Sequence, residues 1–286
     1  MMLLGLNARR VLERASDDVN RFMGKHWGDK FPYYFVCEYP KSGGTWLSRM
    51  IADYLKIPFP QHSIFPVGCA AVIQNHWGYH PRFRRVVYLY RDGRDVMVSD
   101  YFQAYRVAYH SHSNPDAAQA KITRHRHQKL FGKEFGPQDI ERLLQRFIEH
   151  RFERPGMGHS SWSEHVQRWG APEGHSHVVY VSYEQLLDDC NGTLRRIVEQ
   201  LTEMPADEWQ LNTTVDKFSM RRMTGRTAGT EDAQHVIRKG IAGDWQSYFT
   251  REAAEVFNSY AGDVLVHLGY EKDKHWVDRY DLPRAH

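Results

Sequence analysis

Residues 33–46 read YYFVCEYPKSGGTW, and this stretch decides the fold. Tyr33 to Glu38 is short, aromatic and β-branched, the composition of a buried strand, and Pro40-Lys-Ser-Gly-Gly44 breaks it. Thr45 then stands where it can cap a helix, behind which Trp46, Leu47, Met50, Ile51, Tyr54 and Leu55 recur at helical spacing. The same order recurs outward along the chain. VVYLY at 86–90 is a second buried strand, running into RDGR and a helix from Asp95 to about Tyr109. VVYVS at 178–182 is a third, followed by a helical stretch from Glu184 to Leu201. Strands alternating with helices require right-handed crossovers and a parallel sheet covered on both faces, with ligands at the strand carboxyl ends. The expectation is an α/β fold, one three-layer domain over residues 1–286 around a mostly parallel sheet.

With 286 residues, 41% apolar and 26% charged, the chain can bury a full core. Its 38 Lys+Arg against 35 Asp+Glu leave only +3, too little for a general nucleic-acid coat, so no nucleic-acid partner is expected. Positive charge is instead local. Arg82 to Arg94 carries +4, Lys121 to Lys133 carries +5, and Met220 to Gly240 carries +3. Cys37, Cys69 and Cys190 can form neither a disulfide framework nor a zinc site, which favours a reducing, cytoplasmic compartment. The start has too short an apolar run for a signal sequence, and no run of 18 apolar residues suggests a transmembrane segment. Within an N-terminal helical extension, residues 1–30, Leu4, Ala8, Val11, Leu12, Ala15 and Val19 share a face. Packing on the domain is expected for it rather than peripheral membrane contact. Residues 110–136, with four histidines and weak periodicity, read as an excursion from the sheet, a lid or an acceptor-binding segment. A closing helix runs from Thr250 to His267, ended by Gly269.

Pro-Lys-Ser-Gly-Gly-Thr between a strand and a helix is chemically a phosphate cradle: glycines let amides approach an anion, the helix start adds partial positive charge, and Lys41 adds a full one. It is not the Walker sequence, because its lysine precedes the glycines. Arg91 leaves the second strand where ligands bind, and Ser99 lies about two helical turns on, an arginine fork and a hydroxyl that suit a second phosphate. The competing reading is Arg91 salt-bridged to Asp92 or Asp95. Arg238-Lys239-Gly240, with Gly243-Asp-Trp245, puts two cations beside a glycine, which could equally be a solvated loop.

Taken in order, YPKSGGTW at 39–46, YRDGRDVMVS at 90–99 and RKGIAGDW at 238–245 closely resemble the three cofactor signatures of the cytosolic-type sulfotransferases, which use 3′-phosphoadenosine 5′-phosphosulfate (PAPS). The resemblance runs from about Tyr33 to Tyr270 and implies a P-loop-like fold. It implies that Lys41, Ser42, Gly43, Gly44 and Thr45 hold the 5′-phosphosulfate, with Trp46 near the adenine. It implies that Arg91, Ser99, Arg238, Lys239 and Gly240 take the 3′-phosphate. Tyr183 matches a family tyrosine near the adenine, and Phe218 is a candidate for the other face of that ring. Two separated phosphates account for two basic sites besides the loop, whereas a kinase needs a carboxylate-held magnesium ion; no metal is expected here.

Val72-Ile-Gln-Asn-His76 lies where the family commonly has Lys-Thr-His at a strand end. By resemblance His76 is the catalytic base and Gln74 replaces the lysine. Lys41 is then the main cation on the transferring group, unless His80 or Arg82 moves in; His80 or a carboxylate is the alternative base. The histidine pairs at 110–112 and 125–127 are expected to be solvated, and the Lys121 to Lys133 window is an exposed face or a contact for an anionic acceptor. The implied reaction is direct in-line sulfonate transfer to an acceptor hydroxyl, or secondarily an amine, releasing 3′,5′-adenosine bisphosphate (PAP). A P-loop kinase-like enzyme and a non-catalytic nucleotide-binding module are the rivals. Residues 58–79 and 101–136, with Phe65, Trp77, Tyr79, Phe102, Tyr105 and Tyr109, are expected to line a pocket for a small-molecule, lipid or carbohydrate acceptor. Arg226 to Glu231 departs from the family's K-x-x-x-T-V dimer segment, which leaves the oligomeric state open.

Overall fold

The computed structural model describes residues 2–61, 65–66, 68–109, 117–132, 135–155, 160–233 and 235–280. In chain order its first elements are α1 (Met2–Trp27), β1 (Tyr33–Glu38), α2 (Gly44–Leu55), β2 (Ala71–Asn75), β3 (Val86–Tyr90), α3 (Gly93–Tyr109) and α4 (Ala117–Phe131). There follow α5 (Ile140–Glu153), α6 (Trp162–Trp169), β4 (Val178–Ser182), α7 (Tyr183–Asp188), α8 (Cys190–Thr202), α9 (Glu208–Lys217), α10 (Met220–Thr224) and α11 (Arg251–His267). The contacts gather into two compact units, residues 1–90 with 168–223, and 91–167 with 224–286.

The first unit holds a four-stranded sheet in the order β2-β1-β3-β4, parallel throughout. Phe35 stands opposite Ile73 on one side and Val86 on the other. Both faces are covered, which is why the strands read as continuous apolar runs instead of alternating. Val36, Val87 and Leu89 point to one side and pack with Leu47, Met50 and Ile51 of α2 and Leu194, Ile197 and Val198 of α8. On the other side, beside Cys37, Ile73 and Val86, the large buried residues are aromatic. Trp169 stacks on Tyr88 with centroids 4.7 Å apart and on Phe83 at 6.2 Å, and Phe83 meets Phe35 at 4.8 Å. The three strands expected from sequence keep their expected bounds. β2 completes the sheet, and its end at Asn75 puts His76 directly after a strand.

Several local expectations change. Gly43, with φ 102, precedes α2 and no side chain caps it. Thr45 therefore lies inside the first turn, and its hydroxyl turns to Gln74. The single helix expected over 184–201 is two, because Asp189 ends α7 and its carboxylate accepts the Gly192 amide to start α8. Residues 117–131 of the expected excursion are helical; 110–116 and 133–134 lie outside the described residues.

The outer face of α1 is the largest departure. Val11 is 65% exposed, Leu12 57%, Val19 46% and Phe22 54%. The buried side is polar and small: Asn20 donates to the carbonyls of Ser16 and Phe65, its oxygen accepts the Tyr33 hydroxyl, and Ser16 exchanges two bonds with Phe65. Gly24 lets the helix lie against Phe35, whose ring would be 3.2 Å from a β-carbon there. Backbone carbonyls and a hydroxyl on the underlying surface need donors and acceptors, and α1 supplies them from its hydrophilic side. No helix among the described residues is long and apolar enough to cross a membrane.

The second unit is helical. Tyr101, Phe131, Phe135 and Phe147 form its aromatic core between α3, α4 and α5, and Phe257 of α11 packs on Phe152 and Trp162. Gly93 starts α3 where a β-carbon would lie 2.7 Å from Phe257 and Trp162, so the glycine of RDGR is a packing requirement. The basic window on α4 is an exposed face: Lys121, Arg126 and Lys129 face solvent, while His127 is buried among Phe131 and Phe135 and its imidazole is pushed down to about 4 by burial and by Arg151.

Candidate active site

The loop between β1 and α2 is shaped by two left-handed residues, Lys41 at φ 77 and Gly43 at φ 102. A lysine in that region is strained, and such strain is held where the surroundings over-determine it. Its neighbour Ser42 is fully buried, and the Ser42 hydroxyl makes no hydrogen bond among the described residues. An unsatisfied buried hydroxyl at the start of a helix is a feature a ligand can complete.

Tyr183, first residue of α7, closes on this loop. Ser182 and Gln185 hold it in a reciprocal capping box of 3.1 and 3.0 Å, and the Tyr183 ring would be 2.8 Å from a β-carbon on Gly43. Trp46 meets Tyr183 edge-on at 6.1 Å, and its indole N–H donates to the carbonyl of Phe218 at 2.9 Å. The fold thus brings Tyr183 and the Phe218 backbone to the loop and Trp46, from which each lies more than 130 residues away in sequence.

His76 stands beyond β2 with Nδ1 3.1 Å from the carbonyl of Glu38. A carbonyl only accepts, so Nδ1 carries the proton and the lone pair belongs to Nε2. Burial lowers its pKa from the ordinary imidazole value, and the charges of Arg21 and Lys41 add to this against the Glu38 carbonyl bond. The ring is therefore neutral near pH 7, the form a general base requires.

Gln74, where the family commonly has lysine, supplies no charge. Its Nε2 donates to Glu38 Oε1 at 2.7 Å and its Oε1 accepts the Thr45 hydroxyl at 3.1 Å. The second Glu38 oxygen accepts the Gly44 amide. Of the two suggested stand-in cations, Arg82 donates to the His26 carbonyl and His80 accepts from the Arg82 amide. Arg21 of α1, by contrast, donates to the Gln74 carbonyl at 2.8 Å and its charge reaches His76. Glu38 and Arg21 are the residues missed from sequence. An acid at the end of an otherwise apolar strand was a signal; nothing in the α1 sequence distinguished Arg21.

In the second unit, Arg91 donates to Asp95 at 3.2 Å and to the Ile241 carbonyl at 3.1 Å, so the ion-pair reading of this arginine is realised through Asp95. Asp92 instead pairs with Arg94, which lies between Trp245 and Trp276 with its guanidinium 3.8 and 4.7 Å from their centroids. Asp95 also accepts the amides of Gly243 and Trp245 at 2.9 and 2.8 Å, tying the late loop to the start of α3. Arg238 and Lys239 both bind Asp244 and the Tyr248 hydroxyl, and both pair with Glu231. Gly240 at φ 64 turns the chain after them. Ser99 is half-buried on α3. Of the residues expected to line an acceptor pocket, Phe102 lies 4.3 Å under Arg238, Tyr79 stacks on His175 at 3.6 Å, and Tyr105 stacks on Tyr109. These rings pack within the fold.

The family described as "Sulfotransferase domain" matches residues 80–269, more than half of the chain and including its second and third signatures. Sulfotransferase 2B1 of Mus musculus is 22% identical over 283 residues, covering 86% of this chain and 72% of that protein. Sulfotransferase 1A1 of Bos taurus is 26% identical over 267 residues, covering 79% and 80%. Among solved structures, a mouse sulfotransferase complexed with PAP shares the fold at a TM-score of 0.58 and 20% identity, covering 88% of this chain and 90% of that one. A retinol dehydratase in complex with androsterone and PAP shares it at 0.56 and 19%, covering 82% and 80%.

Proposed function

The chain belongs to the sulfotransferase domain family, and from that membership we propose that it moves a sulfonate group from PAPS to the hydroxyl of a small-molecule acceptor. The kinase-like alternative is not favoured, since family and relatives alike are sulfotransferases. The residues present fit the donor. Lys41, Ser42, Gly43, Gly44 and Thr45 would hold its 5′-phosphosulfate, Trp46, Tyr183 and Phe218 its adenine, and Arg91, Ser99, Arg238, Lys239 and Gly240 its 3′-phosphate. Asp95, Asp244 and Glu231 now engage those three cations, so a phosphate there would exchange ion pairs. When bound, PAPS supplies the sulfonate, whose sulfur gains a bond to the acceptor oxygen as its bond to the 5′-phosphate oxygen breaks and PAP departs.

His76 takes the acceptor proton at Nε2, in the tautomer that the Glu38 carbonyl selects. Lys41 and the loop amides stabilise charge on the departing oxygen. Less charge develops on a sulfonate than on a phosphoryl group, so the reading requires no metal ion. The three free cysteines suit work in a reducing, cytoplasmic compartment. The acceptor class to try first is apolar and ring-bearing, as retinol and androsterone are in the neighbour's complexes.

The observation that carries this reading is the buried Ser42 hydroxyl, unsatisfied among the described residues at the start of α2, in a loop whose lysine is held left-handed. Labelled sulfonate offered with phenols, sterols, retinoids, sugars and lipids tests it. Transfer to one class supports the reading; PAP binding with no transfer to any would favour a non-catalytic nucleotide-binding module.

A further inference from the structure

Glu38 ends β1 only 2% exposed, beneath the loop. Among the described residues both direct partners of its carboxylate are neutral: the Gly44 amide on Oε2 and the Gln74 carboxamide on Oε1, which passes the connection on to the Thr45 hydroxyl. A β-carbon on residue 44 would fall on this carboxylate, so the glycine and the acid specify each other. The ionisable groups around it are Lys41 on the loop, His76 after β2, Cys37 beside it on β1, Tyr88 on β3 and, through the β2 end, Arg21 of α1. Burial pushes the Glu38 carboxyl up to about 7, against the opposing effects of Gly44, Gln74 and Lys41.

A buried carboxylate behind a loop that must accept an anion creates a conflict of like charges. Either the second anion binds weakly, or the carboxylate gains a proton as it binds. Resting on the donor reading above, we propose that Glu38 is a positioning residue that fixes Gly44 directly and Thr45 through Gln74, and takes up one proton from solvent when a phosphate or phosphosulfate is seated on the loop. Gln74 then has a reason to replace lysine. A cation at that position would hold Glu38 ionised, whereas a carboxamide serves both of its protonation states by turning over.

The test uses the full chain with PAP as probe. Titration calorimetry near pH 7.5 in buffers of different ionisation enthalpy counts the protons taken up by the wild type, Glu38→Gln and Gln74→Lys. The wild type is expected to take up more protons than either variant. The ratio of its Kd to that of Glu38→Gln should rise by about sevenfold between about pH 6 and pH 8.5, toward a limit of about tenfold at higher pH, for a one-unit upward shift of Glu38 on binding. The phosphate's own ionisation and that of His76 are shared by both proteins and cancel in the ratio. Equal uptake and a constant ratio overturn the inference while leaving the donor site standing; absence of PAP binding at any pH removes both. Should the variants fail to fold, the infrared difference spectrum of the wild type decides. PAP must produce a protonated-carboxyl band at the expense of carboxylate, and its absence overturns the proposal.

Discussion

At His76 the direction of the pKa shift makes a kinetic prediction. The base works only when neutral, and its folded pKa lies below the ordinary imidazole value, so the acid limb of kcat/KM should fall below about pH 6.5. His76→Ala should remove that limb and lower the rate by about 10²- to 10⁴-fold, and Lys41→Ala by about 10²- to 10³-fold, measured by sulfonate transfer to an accepted hydroxyl. Full activity in both variants would remove these roles. Glu38 makes a prediction about stability. Its folded carboxyl holds a proton up to about pH 7 whereas the unfolded one releases it near 4.5, so the folded state loses stability as pH rises through that window. Glu38→Gln should therefore raise the unfolding free energy near pH 8 by up to about 3 kcal/mol, and change it little near pH 4. His76 was legible because it sits at a fixed place between two signatures. The role of Glu38 was not, because its partner Gln74 is 36 residues away and only the pairing of β1 with β2 brings them side by side.

Among the elements, the βα loop carries the sharpest conformational demand. Gly43 needs both a left-handed backbone and an open approach for Tyr183, whereas Gly229, at φ 90, has open space around it. Gly43→Ala should thus lower the urea midpoint more than Gly229→Ala, which bears only the cost of backbone strain, about 1–2 kcal/mol, and only the former should also weaken PAP binding. Equal effects would show that Tyr183 can yield. Strands β1, β3 and β4 were legible because burial on both faces leaves an uninterrupted apolar run. β2 was implied only by resemblance, since Gln74 and Asn75 end its apolar character after three residues. The break at Asp189 and the absence of a Thr45 cap escaped periodicity for a common reason: apolar spacing locates a helix face, whereas its ends depend on which amide finds which oxygen.

For the whole molecule, PAP should be a stronger ligand than ATP with magnesium. At about 100 times its Kd, PAP stabilises the fold by about 2.7 kcal/mol, a rise of several degrees in Tm, and ATP, which lacks the 3′-phosphate, should give less at equal concentration. A larger shift with ATP and magnesium would revive kinase-like chemistry. Chelator should leave the transfer rate within about twofold, in keeping with a charge load that Lys41 and amides can manage; a collapse of activity would require a metal. Helix α1, lying polar side down, inverts the usual map of mutational tolerance. Ranked by hydropathy, Val11, Leu12, Val19 and Phe22 would be its constrained positions and Asn20 its freest. Their exposure makes them the permissive ones, open to neutral drift toward serine or lysine as far as folding is concerned, while a leucine at 20 would leave the Tyr33 hydroxyl without its acceptor and the Phe65 carbonyl with Ser16 as its remaining side-chain donor.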